Sequence, residues 1–419
     1  MGINKKIIVD IGSSTVKIYK QDSSGLNLLF TRSIAFKEGF DSVKGISEVC
    51  KNELCELVNG IKHKYGSVSI KLYATALFRK MEDITKTALI DEFFQRTGLY
   101  FNIVSHELES FYLQVALVGK YNGESPVLLI NVGGGSTELV VMFGDEAIER
   151  KNLDFGVGTI LTKFPSLNDD KTAVSLREVI EFVIQGLPSL DNEVKTAIYS
   201  GGELSYMQVA GYELKKNKLF RDNDHPSYIT LDDFSNRNKK IFEEVTIRTL
   251  ESLMPDNPVW MHGARACSAL AQAICEKYEI DQIVPSNSNL ANGVCRQEFR
   301  YVTISGSFRK HLNYILSVRE QLVAQGIEVM SPRFTQPKNP GDEFVVFSGE
   351  EGSGPLELER HHLNSIALSD ALIVCDPEGY VGASALIEIG YAQALGKRII
   401  FVEKPAEFML TTLPAEIGL

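Results

Sequence analysis

The sequence predicts an α/β protein in which two similar half-structures face a cleft and a parallel-sheet α/β domain follows them. Three observations carry this. A strand, glycine loop, strand pattern near the N-terminus returns in the middle of the chain. From Arg300 onward strands and helices alternate in the manner of a parallel sheet. At 419 residues the chain exceeds what one hydrophobic core normally organises, so two or three domains are expected.

Taken in order, Ile7-Ile8-Val9-Asp10 reads as a strand, Gly12-Ser13-Ser14 as a small-residue loop and 15–19 as a second strand. Asp22-Ser23-Ser24-Gly25 then turns the chain into a third. Helical spacing marks 41–61 and 85–98, with a short strand at 68–74. The echo begins at 127–131, an apolar strand, followed by the loop Gly133-Gly134-Gly135-Ser136, a strand over 137–143, the turn Gly144-Asp145-Glu146 and a strand from Ala147. In this register Asp10 falls on Asn131. Helices are expected over 175–185, 232–253 and 264–278, with a strand at 195–199 before the turn Ser200-Gly201-Gly202. The half-structures meet near residue 125, giving expected subdomains 1–125 and 126–297.

In the last part, strands over 301–304, 327–330, 371–375 and 398–402 alternate with helices over 308–325, 356–368 and 382–395, so a self-contained domain is expected over 298–419. Its segment 331–355 is long and rich in Pro and Gly, which points to a site or lid.

Composition excludes some classes of function. With 44% hydrophobic and 23% charged residues the chain is globular nearly throughout. A net charge of −11 argues against general nucleic-acid binding, which needs clustered cations to neutralise phosphates. The six cysteines are scattered without a C-x-x-C pair, as reduced thiols would be. A cytoplasmic protein with no membrane partner is expected, because the N-terminus has no leader pattern and no apolar run reaches the roughly 20 residues that span a bilayer.

Successive backbone N–H groups of a glycine loop can converge on phosphate oxygens where no side chain stands in the way. A strand follows Gly133-Gly134-Gly135, and no Gly-Lys-Ser/Thr occurs, so this is not a Walker loop. Alone it also reads as a hairpin turn. Its pairing with an earlier copy beside an acidic residue points to phosphate.

These residues resemble the exopolyphosphatase and guanosine pentaphosphate phosphatase (Ppx/GppA) family, of the actin-like ATPase (ribonuclease H-like) superfold, over about residues 5–297. The similarity rests on Val9-Asp10-Ile11-Gly12-Ser13-Ser14, Ala74-Thr75-Ala76-Leu77-Phe78-Arg79, Val104-Ser105-His106-Glu107-Leu108-Glu109 and Asn131-Val132-Gly133-Gly134-Gly135-Ser136-Thr137-Glu138. Further along lie Phe155-Gly156-Val157-Gly158, Ser200-Gly201-Gly202 and Leu290-Ala291-Asn292-Gly293-Val294. The resemblance implies removal of terminal phosphate from polyphosphate or guanosine pentaphosphate, with Glu109 positioning or deprotonating the attacking water. It implies Mg²⁺ held by Asp10, Asn131 and Glu138, phosphate cradled by Gly12, Ser13, Ser14, Gly133, Gly134, Gly135, Ser136 and Thr137, and Arg79 facing phosphate oxygens. Asn131 stands where the family carries Asp, and an amide brings no charge to a hard cation, so weaker metal binding or turnover is expected. From the residues alone, Asp10 and Glu138 also read as solvated loop carboxylates, Arg79 as a surface ion-pair partner, and Glu109 as a helix N-terminal acid.

In the last domain Ser305-Gly306-Ser307-Phe308-Arg309 follows a strand and opens a helix, where an anion can bind. Glu388 is a carboxylate amid apolar helix residues, a costly placement unless it is paired or functional. This region resembles nucleoside 2-deoxyribosyltransferases and deoxynucleoside monophosphate N-hydrolases over about residues 300–405. That similarity implies a Rossmann-like sheet, Glu388 attacking the anomeric carbon, Gly306, Ser307 and Arg309 lining a sugar or phosphate site, and a homo-oligomer. Where hydrolase members place an Asp, this chain has His361-His362. His362 reads equally as a general acid or as half of an exposed helical pair. The alternative function is N-glycosidic chemistry at Glu388, regulated by an N-terminal domain that senses a phosphorylated ligand.

Overall fold

Apolar residues on both faces make β1 (Lys6–Ile11) a fully buried strand, with Ile7, Val9 and Ile11 in one core and Ile8 in another. The computed structural model describes all residues except 1–5, 23–24, 67, 118–124, 145, 202, 219–224, 256–257, 297–298, 341, 343 and 351–353. Ser23, Ser24, Asp145, Gly202 and the junction expected at 298 therefore lie outside the described residues.

β1 pairs antiparallel with β2 (Thr15–Asp22), which pairs with β3 (Gly25–Ser33), and parallel with β4 (Ser69–Ala74), which pairs with β5 (Phe101–Ile103). The strand order is β3-β2-β1-β4-β5. One face is covered by α1 (Glu48–Tyr65) and α2 (Asp83–Thr97) through Leu54, Val58, Leu89 and Phe93. The helix expected from 41 starts at 48. Asp41 instead closes a turn, its carboxylate accepting the N–H groups of Val43 and Lys44 at 2.9 Å, and Ser47 caps α1 by accepting the Cys50 N–H at 3.3 Å. α3 (His106–Leu117) lies on the other face.

The second sheet holds β6 (Val127–Val132), β7 (Thr137–Phe143), β8 (Glu146–Leu153), β9 (Thr196–Ser200), β10 (Lys215–Lys216), β11 (Ser227–Thr230) and β12 (Gln282–Pro285). Its order is β10-β11-β12-β9-β6-β7-β8, so β8-β7-β6-β9-β12 repeats the order and the directions of the first sheet. The internal echo is a structural duplication. Asp10 and Asn131 occupy the same place in their hairpins and pair across them with Lys17 and Glu138.

Around this sheet lie α4 (Val157–Lys163), α5 (Leu176–Gly186), α6 (Glu203–Val209), α7 (Leu231–Glu243), α8 (Ile247–Ser252), α9 (Ala264–Lys277) and α10 (Leu290–Arg296). Val183, Phe234 and Leu270 bring α5, α7 and α9 onto one face against Leu128, Ile130 and Leu139. The single helix expected over 232–253 is two. The buried Arg265 guanidinium donates to the Val245 carbonyl at 2.6 Å, and Thr246 restarts the helix by accepting the Thr249 N–H at 3.1 Å. The other face is covered by α3, whose Leu113, Ala116 and Leu117 meet Leu129, Val140 and Ile198. Because Leu108 and Tyr112 of the same helix pack with Ile8 and Tyr73, α3 is wedged between the two sheets.

The third sheet joins β13 (Tyr301–Gly306), β14 (Glu328–Ser331), β15 (Ala371–Cys375), β16 (Arg398–Phe401) and β17 (Glu416–Ile417), all parallel, in the order β14-β13-β15-β16-β17. α11 (Phe308–Ala324) covers one face. α12 (Pro355–Leu368), α13 (Ala383–Ala394) and α14 (Phe408–Thr411) cover the other. All six cysteines are free. No described helix is long and apolar enough to cross a membrane.

Candidate active site

The two glycine loops are closed in the same way. Gly12 donates to the Thr15 carbonyl and Gly133 to the Ser136 carbonyl, each at 2.8 Å. They meet face to face, for a β-carbon on Gly135 would lie 3.4 Å from Ser13 Oγ. The second loop is held from behind by Val157 and Gly158, whose N–H groups donate to the Gly133 and Gly134 carbonyls at 3.1 and 2.8 Å. A β-carbon on Gly156 would overlap the Gly133 carbonyl, which is why this backstop is glycine.

Between the half-structures is a cavity of about 700 Å³. Asp10, Gly12, Ser13 and Ser14 line it from the first copy, Asn131, Gly133, Gly134 and Ser136 from the second, and Glu109 from the first turn of α3. Ala76 lines it with φ at 44°, a left-handed conformation that non-glycine residues rarely hold and that clusters at functional sites. Arg79, Gly135, Thr137 and Glu138 are not on the wall. Thr137 is buried and donates to the Phe155 carbonyl at 2.7 Å, which anchors the backstop. Arg79, expected at phosphate oxygens, pairs with Glu109 and reaches Ser136 Oγ at 2.9 Å and Glu138 at 3.3 Å. A guanidinium between two buried carboxylates offsets charge that would otherwise go unpaired. The lysines on the wall are Lys17 and Lys37.

Burial, and then the neighbouring Glu138, pushes the Glu109 carboxyl up to about 7 against the opposing cation of Arg79. A carboxylate so placed takes and gives protons near neutrality. Burial raises Asp10 too, with Lys17 opposing, and depresses Lys37 with help from Lys80. A further acid on the wall is Glu203, lifted to about 7 by burial. Tyr206 and Trp260, whose rings lie 6.0 Å apart, also line the cavity, as do Val157 and Leu161.

Of the residues expected to hold Mg²⁺, Asp10 and Asn131 line the cavity and Glu138 does not. Glu138 already accepts from Asn131 Nδ2 at 2.8 Å, Ser136 Oγ at 2.9 Å and Arg79, and faces His106 Nδ1 at 3.2 Å. Asn131 thus turns its Nδ2 to Glu138 and keeps its Oδ1 apart from that bond. No group of three or more His, Cys, Asp or Glu among the described residues is arranged to hold a metal.

Sequence reasoning missed Lys17, Lys37, Glu203 and Trp260. Two left a local signal, since Lys17 pairs with Asp10 across the hairpin and Glu203 follows the Ser200-Gly201-Gly202 turn. Lys37 and Trp260 left none.

A second cavity, of about 380 Å³, opens at the C-terminal ends of β13 and β14. Gly306, Ser307, Arg309, His362 and Glu388 line it together with Glu359. His361 is exposed and does not line it. His362 is buried, with Nδ1 2.7 Å from Ser331 Oγ and Nε2 3.3 Å from Glu388. Burial opposes protonation of His362, yet Glu388 beside it raises its affinity for a proton. Burial and then Glu388 raise Glu359. Among the described residues the buried Glu359 Oε1 has no hydrogen-bond partner and Glu388 Oε2 has only the ion-pair contact with His362, a cost that a ligand would relieve.

The profile of the Ppx/GppA phosphatase family matches residues 24–295. No curated protein matches the chain. Among solved structures, a Ppx/GppA phosphatase of Aquifex aeolicus in its type II variant superposes with a TM-score of 0.55 at 19% identity, over 70% of this chain and 99% of that one. An exopolyphosphatase from Cytophaga hutchinsonii gives a TM-score of 0.56 at 14% identity, over 69% of this chain and 96% of that one. The identities are low enough that these two likenesses speak for the fold. The profile begins after β2, so it leaves out the first glycine loop but takes in the rest of the first half-structure with Glu109, the second glycine loop and nearly all of α10, and on that match the chain belongs to the Ppx/GppA phosphatase family.

Proposed function

We propose that the N-terminal cleft hydrolyses the terminal phosphoanhydride bond of polyphosphate or guanosine pentaphosphate. The observation that carries this is Glu109, a buried carboxylate lifted to about 7, on the wall of a cavity closed by two opposed glycine loops. Attack on a terminal phosphoryl group needs a positioned water, a base for it and donors for the equatorial oxygens. Glu109 supplies the base, Gly12–Ser14 with Gly133, Gly134 and Ser136 the cradle, and Lys17 and Lys37 the positive charge. The water's proton goes to Glu109, its oxygen bonds to phosphorus, and the shortened chain leaves with the bridging oxygen. Asp10 and the Asn131 side chain on the wall would hold a divalent cation bound with the phosphates, which would supply charge neutralisation there. Phosphate release from inorganic polyphosphate and from guanosine pentaphosphate, measured side by side, tests this. Release from neither, with any divalent cation, sinks it.

A second reading concerns the C-terminal cavity and rests on Glu359, His362 and Glu388 converging there. Two acids and a histidine around the N-termini of α11 and α13 suit N-glycosidic cleavage or transfer on a nucleotide, with Glu388 as nucleophile, His362 or Glu359 as proton donor, and the helix ends and Arg309 for phosphate. A parallel sheet of order 2-1-3-4-5 binds ligands at this place, where the order reverses. The family resemblance adds a homo-oligomer, read out by mass in solution. Free base appearing from a nucleotide panel and vanishing in Glu388→Ala supports this reading, while no base from any nucleotide refutes it.

A further inference from the structure

The last strand of the chain reaches back into the N-terminal half. Glu416, in β17, is buried, and its carboxylate accepts from the Tyr112 hydroxyl, from Tyr73 Oη at 2.9 Å and from Arg398 Nε at 2.6 Å. Arg398 also donates to the Tyr112 hydroxyl, and its guanidinium lies 4.9 Å from the centre of the Tyr112 ring and 4.7 Å from that of Phe299. Tyr73 and Tyr112 meet edge to face at 5.7 Å. Around this cluster the Asn102 side chain pairs with the Ile417 backbone at 2.7 and 3.2 Å, and Lys71 donates to the Gly418 carbonyl at 2.6 Å.

Both tyrosines belong to segments that carry the cleft. Tyr112 follows Glu109 by three residues on α3, about one helical turn. Tyr73 pairs with Asp10 across β1 and β4 and precedes Thr75 and Ala76, which line the cavity. α10 packs so closely on α3 that a β-carbon on its Gly293 would overlap the Tyr112 carbonyl. Docking alone does not call for this chemistry. A buried ion pair is often no more stabilising than apolar residues of the same volume, whereas its directional bonds fix one geometry.

We infer that Tyr112, Arg398 and Glu416 are positioning residues for Glu109, through which the C-terminal sheet sets where α3 presents its carboxylate to the cleft. This rests on the phosphohydrolase reading of that cleft. The C-terminal sheet is thereby part of the phosphatase. Arg398, which begins β16, follows directly after α13, the helix that brings Glu388 to the second cavity, so the same contact joins the two cavities through covalently continuous elements.

The test uses the full-length protein, inorganic polyphosphate, and the variants Tyr112→Phe and Glu416→Gln, with Glu109→Gln as the inactive reference. Lys404→Ala serves as a control, since it breaks the separate 2.6 Å pair with Asp91 across the same two units without touching Tyr112. The expected result is a kcat lowered about 10-fold in both Tyr112→Phe and Glu416→Gln with KM within about 2-fold of wild type, because misplacing a catalytic group costs rate rather than binding. The pH midpoint of kcat also moves in both variants, as Glu109 shifts against Glu138, Arg79, Asp10 and His106. Lys404→Ala keeps the wild-type kcat and midpoint. Should Tyr112→Phe not fold, Glu416→Gln carries the same readout. Wild-type kcat and an unmoved midpoint in the variants, with Glu109→Gln inactive, overturn the positioning role and leave the hydrolase reading standing. An inactive wild type removes both.

Discussion

Glu203 and Glu109 show what single residues give up to sit in this cleft. Each carboxyl is lifted from 4.5 to about 7, chiefly by burial, so the folded protein holds its proton more tightly than the unfolded chain. The sign follows. Their cost is absent below the unfolded value, grows as pH rises between 4.5 and about 7, and is complete above that. Glu203→Gln keeps an acceptor for Tyr199 and Cys267 and sheds the charge. It is expected to be more stable than wild type by on the order of 1–3 kcal/mol above neutrality and equal to it at about pH 4, by urea unfolding. Legibility at this scale depended on locality. Asp10, Asn131 and the loop glycines were readable because a hairpin register is written in neighbouring residues. Arg79 was placed in the right neighbourhood, but its carboxylate partners were not read. Whether a guanidinium meets a ligand or a carboxylate depends on Glu109 and Glu138, 30 and 59 residues away.

At the level of elements, the opposed loops work only if each is braced. The brace for the second is the 155–158 segment, and its glycines are there for close approach. Gly156→Ala is expected to destabilise by about 1–3 kcal/mol through overpacking against the Gly133 carbonyl, and to weaken phosphate binding more than a surface substitution of equal size. Thermal unfolding with and without inorganic phosphate measures both. Most strands and helices followed from period and punctuation, including α5, whose Ser175 and Glu178 form a capping box at its start. The two misread spans, 41–47 and 244–246, fail for one reason. In each a side chain captures backbone groups that a continuous helix would use, Asp41 by a local turn and Arg265 from a distant helix. The first is visible in an Asp-x-Val-Lys stretch; the second requires the fold.

For the whole molecule, duplication creates the cleft and a third sheet leans on it. The repeated strand order brings two like hairpins face to face, and α3, wedged between the sheets, carries Glu109 to their junction. The alternation after Arg300 announced the third sheet, but β17 was not legible. It is two residues long, and the one that matters is a glutamate whose partners come from three other strands and helices. Glu416→Ala leaves Arg398 buried without its counter-charge and is expected to cost about 3–5 kcal/mol, seen as early loss of the C-terminal unit in urea unfolding.

The measurement that bears most directly on the central claim is phosphate release from inorganic polyphosphate by wild type and Glu109→Gln, followed from about pH 5 to about pH 9. A base must be deprotonated to act, so the wild-type rate should climb through about 7 and level off. The variant should be slower by about 10²-fold or more and flat with pH. A Glu109→Gln enzyme that keeps the wild-type rate and pH profile would contradict the account.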